Sequence, residues 1–308
     1  MYRRLLLALA RHEVFHRLLL ACPMTKRVVR LFVAGATWDA AHPTVAALLR
    51  KGLKVTAEFL APDARTIAQA EANQATYIGV LDRIGAAGWA ADVEVSVRLS
   101  ALGLALNGGE DLARDHAMAL AERARAIGTN LTIDAPAAAY LAKTWRIATS
   151  VRRRFPETGY VVQANSKRAE SDCRALDGPG VKVRLCKGSY RSPAQVAYTN
   201  GHDVDLSYVR CLKTLMEGEG LPLVATHDPI MIEIAQELAA HSNRGLKDFE
   251  FQMLYGMRTI EQERLTDLGH TVRVGVPFGE DWYDYLVHRL AQNPSRLLLF
   301  LHTIVRNG

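Results

Sequence analysis

The stretch Leu221-Pro-Leu-Val-Ala-Thr-His-Asp-Pro229 decides the fold class, because it joins a short buried strand directly to a helix. Leucine, valine and alanine at 221–225 make an apolar run of strand length. Pro229 is a favoured first helical residue, and Asp228 before it is a favoured N-cap. A strand followed at once by a helix predicts a parallel sheet with helical crossovers.

The same strand-then-helix unit recurs eight times. The candidate strands are Val55–Leu60, Val93–Leu99, Leu131–Asp134, Tyr160–Gln163, Val181–Leu185, Leu221–Ala225, Phe249–Gln252 and Val272–Val276. Eight units in 308 residues favour a closed (β/α)8 barrel of the TIM type over an open sheet. The absence of a Gly-x-Gly-x-x-Gly turn after the first strand also disfavours the nucleotide-binding open sheet.

Helical segments are predicted on both sides of the barrel. Residues 1–50 are helix-rich, with apolar residues at helical spacing in 5–20 and again in 46–53, and we expect this segment to pack on the barrel. Residues 51–308 would form the barrel and its C-terminal helices, one of them over the barrel mouth. The chain starts like a signal peptide, but the charged stretch 11–13 interrupts the apolar run, which favours an amphipathic helix. The sequence has no run of about 18 apolar residues, so no membrane span is predicted.

The composition narrows the function classes. The net charge is +6 with scattered basic residues and only 7% aromatics, which disfavours a nucleic-acid surface but leaves weak attraction to an anionic membrane open. Cys22, Cys173, Cys186 and Cys211 show no metal-ligand spacing, so we expect reduced thiols and a cytoplasmic protein. No spacing typical of a metal site or of a Ser-His-Asp nucleophile occurs, which favours hydride transfer to an organic cofactor.

A barrel of this kind carries its chemistry where its strands end. The residues at those predicted ends are Arg98, Asp134, Gln163, Arg184 with Lys187, His227 with Asp228, Gln252, and Gly275–Phe278. Two cations beside Gly188 suit a phosphate-bearing or anionic cofactor, although a surface salt-bridge loop has the same composition. His227 is either a pocket residue or a hydrogen-bonded structural histidine. Asp134 either pairs with a pocket cation or caps a turn.

A further polar stripe is predicted on a helix within 279–292. Tyr285, His288, Arg289 and Gln292 fall at i, i+3, i+4 and i+7, so they share one helical face. Such a face lines a polar pocket or meets only water. The barrel context favours the pocket wall, with Arg289 as a clamp for a substrate carboxylate.

Five motifs follow one another in the chain: Arg184-Leu-x-Lys-Gly-x-Tyr190, Ala225-Thr-His-Asp-Pro229, Phe249-Glu-Phe-Gln-Met-Leu-Tyr-Gly-Met-Arg258, Val272-Arg-Val-x-Val-Pro277 and Trp282-Tyr-x-Tyr-Leu-x-x-Arg-Leu-Ala291. Together they resemble the FAD-dependent proline dehydrogenases in their short bacterial monofunctional form. The similarity runs in order through the chain without large gaps.

The resemblance implies FAD at the strand ends and an amine or imino-acid substrate. It implies hydride transfer from the proline ring carbon to flavin N5, giving pyrroline-5-carboxylate, and electron transfer to a quinone or another acceptor, with possible peripheral contact at the inner membrane face. The implied flavin contacts are Gln163, Arg184, Lys187, Gly188, Tyr190, Thr226, His227, Gln252 and Leu254. The implied substrate residues are Arg98, Asp134, Tyr190, Tyr285, His288 and Arg289.

The departures from the family pattern concentrate in the substrate pocket. His288 replaces the first of two arginines, Gln292 replaces an acid, Arg98 replaces a lysine, Asn165 replaces a tyrosine and Gly275 replaces the eighth-strand tyrosine. We expect Gly275 to enlarge the pocket, with Phe278 refilling part of the space. Three functions stay open: oxidation of proline with an altered carboxylate grip, oxidation of a larger or less anionic cyclic or secondary amine, and non-catalytic flavin binding.

Overall fold

Eight parallel strands close into a barrel in chain order, β1 to β8, with β8 pairing back to β1. The computed structural model describes residue 29, residues 31–188 and 193–283, and residue 285. The strands are β1 Lys54–Phe59, β2 Val93–Val97, β3 Leu131–Ile133, β4 Gly159–Gln163, β5 Lys182–Cys186, β6 Leu221–Ala225, β7 Glu250–Leu254 and β8 Thr271–Phe278. The predicted (β/α)8 barrel is therefore confirmed, and each predicted strand overlaps an observed one.

Helices cover the outside of this barrel. They are α1 Trp38–Arg50, α2 Ile67–Ala86, α3 Glu110–Ile127, α4 Leu141–Arg154, α5 Ala169–Ala175, α6 Gly201–Glu217, α7 Pro229–His241 and α8 Thr259–Asp267. A π-helical turn, Ser100–Leu104, precedes α3, and a 3-10 turn, Ala138–Tyr140, precedes α4. Among the described residues, no helix is long and apolar enough to cross a membrane.

The helix ends follow local chemistry. Asp228 caps α7 as predicted, because its carboxylate accepts a hydrogen bond from the Ile230 N–H at 3.1 Å. The helix predicted over 46–53 instead ends at Arg50. Gly52 adopts a left-handed φ of 75° just beyond it, and this conformation stops the helix before β1 begins.

The strands alternate between an apolar outer face and a polar inner face. Val55 and Ala57 of β1 are fully buried against the helix layer, while Thr56 between them points inward to Glu94 of β2. The hydrophobic core is therefore the shell between strands and helices. The barrel interior carries buried charges instead.

Candidate active site

The lower interior of the barrel is held by one fully engaged arginine, Arg273 on β8. Its Nε and Nη2 donate to the two carboxylate oxygens of Glu250 at 2.7 and 3.1 Å, and its Nη1 donates to the carbonyls of Val55 and Asp92. Burial acts to lower the pKa of Arg273, but the charges of Glu94 and Glu250 outweigh it and raise the pKa. Arg273 is therefore a permanent structural cation.

A second arginine, Arg184 on β5, lies in the next layer toward the mouth. Its Nη2 donates to Glu94 Oε1 at 3.0 Å and to Thr56 Oγ1 at 3.4 Å, and its Nη1 donates to Ser96 Oγ at 3.2 Å. Its Nε is buried without a hydrogen-bond partner among the described residues. A buried donor without a partner is costly, so this atom marks a place where a ligand acceptor would stabilise the site.

Glu94 on β2 connects the two arginines. Its carboxylate lies 3.0 Å from Arg184 Nη2 and 3.9 Å from Arg273 Nε. Burial acts to raise the pKa of Glu94, but Arg273 and Arg184 outweigh it, so the pKa lies below its usual range. The acid therefore stays ionised in the barrel centre.

Lys187, just beyond β5, is held by two carboxylates. Its Nζ lies 2.6 Å from Asp205 on α6 and 2.8 Å from Asp228 at the start of α7. Burial acts to lower the pKa of Lys187, but the hydrogen bonds that its Nζ donates to these two acids outweigh it and raise the pKa. The salt-bridge alternative for this loop is thus observed at the half-buried Lys187, whereas its role as a cofactor cation stays a prediction.

His227 links the ends of β6 and β7. Its Nε2 accepts a hydrogen bond from the Leu254 N–H at 2.9 Å. Because a backbone amide can only donate, this contact requires Nε2 to be unprotonated and the proton to sit on Nδ1. Thr226, beside it, is buried and accepts from the Asp228 N–H at 3.1 Å. His227 is thus hydrogen-bonded through Nε2 at the strand ends where the site is predicted, and its role in the pocket stays a prediction.

The remaining predicted flavin contacts lie at neighbouring strand ends. Gln163 donates to the Pro136 carbonyl at 3.1 Å, and Gln252 donates to Glu250 at 2.7 Å. Gly188 has a φ of 96°, and a Cβ there would lie 2.3 Å from Asn165 Oδ1. Only glycine fits this turn, because the φ is left-handed and the Asn165 side chain occupies the place of a Cβ.

Among the described residues, Arg98, Asp134 and Glu58 lie at the carboxyl ends of β1 to β3. Arg98, one residue beyond β2, donates to the Ala61 carbonyl, and Asp134, beyond β3, accepts from the Ala135 N–H at 2.9 Å. Burial raises the pKa of the nearby Tyr77 hydroxyl to about 12, with Arg98 lowering it and Asp134 and Glu58 raising it further. These charges therefore act on the same small region at the ends of β1 to β3.

The expected enlargement of the pocket at Gly275 is wrong. A Cβ at residue 275 would lie 2.4 Å from Glu58 Oε1, so the Glu58 side chain already fills that space. Phe278 does not refill it, because its ring packs on Trp38 and Phe59 outside the strand layer, at centroid distances of 5.4 and 5.5 Å. A carboxylate has taken the place where a side chain on β8 would project.

A separate cavity lies on that outer side. It has a volume of about 550 Å³ and is bounded by α1, α2 and the ends of β1 and β8. Its walls include Trp38, Phe59 and Phe278, with Asp39 and Arg83 at the rim. Since these rings point away from the barrel interior, the cavity is distinct from the mouth.

Four predicted positions lie beyond the part of the chain that the structure describes. Tyr190, His288, Arg289 and Gln292 fall on residues 189–192 and 286–308, as Cys22 falls on residues 1–28. Tyr285 is described and half-buried. The other three cysteines, Cys173, Cys186 and Cys211, are free thiols as expected.

Sequence reasoning missed the acids of the barrel interior and one arginine. The missed residues are Glu58, Glu94, Glu250 and Arg273. A signal for them exists, because charged residues alternate with apolar residues along these strands and inward positions recur every second residue. The alternation identifies the inward side chains, whereas the partner of each depends on the barrel's closure.

Comparison with known proteins adds an independent line of evidence. The family model described as proline dehydrogenase matches residues 41–297. The chain belongs to the proline dehydrogenase family. Proline dehydrogenase 1 of Bacillus subtilis subsp. natto is 33% identical over 282 residues, covering 92% of each chain. The proline dehydrogenase of Deinococcus radiodurans is 30% identical over 297 residues, covering 96% of this chain and 94% of that protein.

Solved structures of larger proteins contain the same fold. Proline utilization A from Bdellovibrio bacteriovorus, inactivated by N-propargylglycine, superposes with a TM-score of 0.81 at 22% identity over 87% of this chain. A mutant of the Bradyrhizobium japonicum protein gives a TM-score of 0.72 at 26% identity over 88% of this chain. The matches cover 33% and 31% of those chains, so this protein corresponds to about a third of their length.

The site fits the flavin on which the proline dehydrogenase family depends. The buried Arg184 Nε lacks an acceptor among the described residues. An anionic group with several acceptor atoms suits this donor. Lys187 adds a positive charge at the same strand end.

Proposed function

We propose that this chain binds FAD at the carboxyl ends of its strands and oxidises L-proline to 1-pyrroline-5-carboxylate. Membership of the proline dehydrogenase family supports the reaction. The observation that carries the cofactor assignment is the buried Arg184 Nε, a cationic donor without an acceptor in the described part of the barrel. When bound, FAD supplies the hydride acceptor and passes the electrons on to a quinone or another acceptor.

The residues proposed to hold FAD belong to β4 to β7 and the loops after them. They are Gln163, Arg184, Lys187, Gly188, Tyr190, Thr226, His227, Gln252 and Leu254. Arg184 contributes a donor that Glu94, Thr56 and Ser96 hold in place. His227 contributes its Nδ1–H, whose tautomer the Leu254 amide fixes.

The residues proposed to bind proline belong to the mouth. They are Arg98, Asp134, Tyr190, Tyr285, His288 and Arg289. Arg98 and Arg289 would bind the substrate carboxylate, because guanidinium groups match its two oxygens. His288 adds charge only when protonated, so the grip on a carboxylate would weaken as the pH rises through the pKa of an ordinary histidine, about 6.5.

Domain organisation and cellular setting follow from the same assignment. Residues 51–308 would form the flavin-binding catalytic barrel with its C-terminal helices, and residues 1–50 a helical segment on its outside. The protein would act in the cytoplasm, with peripheral contact at the inner membrane face when the electrons pass to a quinone.

The test is the flavin spectrum of the purified protein before and after anaerobic addition of L-proline. The proposed function requires a flavin spectrum that bleaches with proline. Bleaching by another cyclic amine but not by proline would replace the substrate. A yellow protein that no amine bleaches would instead establish a flavin-binding homologue without this activity.

A further inference from the structure

We infer that Asp205 on α6 is a positioning residue of the proposed flavin site, because it fixes the Lys187 ammonium group at the carboxyl end of β5. This inference rests on the proposed function and deepens its cofactor site. It gives a role in cofactor binding to a helix that carries none of the residues proposed to hold FAD.

Lys187 is held between carboxylates from two different helices. Its Nζ lies 2.6 Å from Asp205 Oδ1 on α6 and 2.8 Å from Asp228 Oδ2 at the start of α7. A lysine ammonium group carries three donors at the end of a flexible four-carbon stem. One acid is enough to neutralise its charge, so the contact with a second acid fixes where the ammonium group points.

The two acids differ in their other contacts. Asp228 also caps α7, because its Oδ1 accepts from the Ile230 N–H at 3.1 Å. Asp205 has no such task, since α6 is capped by Asn200. In the described part of the chain, the ion pair of Asp205 is with Lys187 alone. The effect of Asp205 on the site can therefore be measured without removing a helix cap.

The helix α6 contacts the end of β5 at a second point. The Tyr208 hydroxyl donates to the Leu185 carbonyl at 3.4 Å, and the Tyr208 side chain is fully buried. Asp205 and Tyr208 are three residues apart, so they share one face of the helix. Because Tyr208 joins this face to the strand, the Asp205 carboxylate lies at a fixed place relative to β5.

The ion pair between Asp205 and Lys187 is too exposed to be important for the fold. The Lys187 side chain is 31% exposed and the Asp205 side chain 41% exposed. Ion pairs that water reaches contribute little to folding. A cofactor that needs the ammonium group at one place is more sensitive, so loss of this pair should change FAD binding and leave the fold intact.

Five variants test whether Asp205 acts through Lys187. Asp205→Asn keeps the shape and removes the charge, Lys187→Met removes the ammonium group, and the double variant combines them. Asp205→Glu restores a carboxylate on a stem one methylene longer. Asp203→Asn is the matched control, because it makes the same charge change at an exposed residue in the first turn of the same helix.

The dissociation constant for FAD is measured by serial dilution of the flavin-loaded full-length protein, with flavin fluorescence reporting release and far-UV circular dichroism reporting the fold. We expect Asp205→Asn to raise the constant about tenfold and Lys187→Met to raise it at least as much. The double variant should lie within about twofold of Lys187→Met, because both changes remove the same contact. Asp205→Glu should lie within about threefold of the wild type, and Asp203→Asn within about twofold.

An unchanged constant for Asp205→Asn would overturn the inference. So would equal weakening by Asp203→Asn, no recovery in Asp205→Glu, or a double variant in which the two effects multiply. If Asp205→Asn does not fold, Asp205 is a structural residue and the inference is likewise overturned.

The proposed function fails in a different way. A wild type that binds FAD but is not bleached by proline rejects the reaction, while weaker FAD binding by Asp205→Asn would still support the inference. A wild type that binds no flavin rejects the cofactor assignment and the inference together.

Discussion

Arg273 and Arg184 occupy adjacent layers of the same barrel, and both are buried beside glutamates, yet they are used differently. Every nitrogen of Arg273 donates to a protein oxygen, two of them to Glu250 in a bidentate pair. Arg184 has its two terminal nitrogens engaged and its Nε without a partner in the described chain. A completely satisfied cation supports the fold, whereas an incompletely satisfied one is held ready for a ligand.

Removing the Arg273 guanidinium should have the largest effect on the free energy of unfolding. Arg273→Met leaves Glu250 buried without its bidentate partner, and breaking a buried pair in this way costs about 3 to 5 kcal/mol. We expect a large loss of unfolding free energy in urea denaturation, or no folded protein at all. Arg114→Met, which removes an exposed ion pair with Asp111 and Asp115, should leave the curve close to wild type. Equal curves for the two variants would show that Arg273 does not support the fold.

Neutralising the shared acid should have the next largest effect. Glu94→Gln keeps the size of the side chain but leaves Arg184 and Arg273 facing each other with less negative charge between them. We expect a loss of about 3 kcal/mol in unfolding free energy, together with lower flavin content, because both arginines depend on this acid. If the variant loses stability and still retains its flavin fully, Glu94 positions only Arg273.

Replacing Arg184 should affect the binding of FAD more than the stability of the fold. Arg184→Lys keeps a charge near Glu94 but has no counterpart of the Nε donor. We expect the apoprotein to lose only about 1 kcal/mol, while the dissociation constant for FAD rises about tenfold or more. Flavin titration of apoprotein and urea denaturation measure the two quantities separately. A loss of stability without any change in FAD affinity would show that Arg184, like Arg273, supports the fold and does not bind the ligand.

The smallest effect should come from weakening the ion pair between Asp228 and the half-buried Lys187. Asp228→Asn removes a charge from Lys187 but keeps a good cap for α7. Burial acts to raise the pKa of Asp228, but Lys187 and the Ile230 amide outweigh it and hold the pKa below its usual value. The ion pair therefore stabilises the fold above pH about 4 and is lost as the pH falls through the lowered pKa.

The expected difference between wild type and Asp228→Asn is below about 1 kcal/mol at pH 7 and disappears in acid. Chemical denaturation at pH 7 and pH 3 measures it. A difference that is constant with pH would mean that the lost cap, and not the lost charge, is responsible.

The sequence by itself determined the barrel and the family, and it predicted the strand ends as the place of the site. Runs of β-branched residues predict strands, and residues such as Asp228 and Pro229 before α7 predict helix starts. Both signals are local, so they can be recognised in the sequence without knowing what each element packs against. The cations Arg98, Arg184 and Lys187 were identified because each is at or just beyond a predicted strand end. The fold could thus be predicted because its sequence signals lie within a few residues of each other.

Only the tertiary structure decided how those side chains are used. Arg184 and Glu94 are separated by 90 residues, and Glu58 and Gly275 lie on the first and last strands, so their contacts exist only once the barrel closes. Sequence reasoning expected an open space at Gly275, whereas closure places the Glu58 carboxylate in it. Local propensity fixes each strand, but the register between β8 and β1 fixes which charge fills which space.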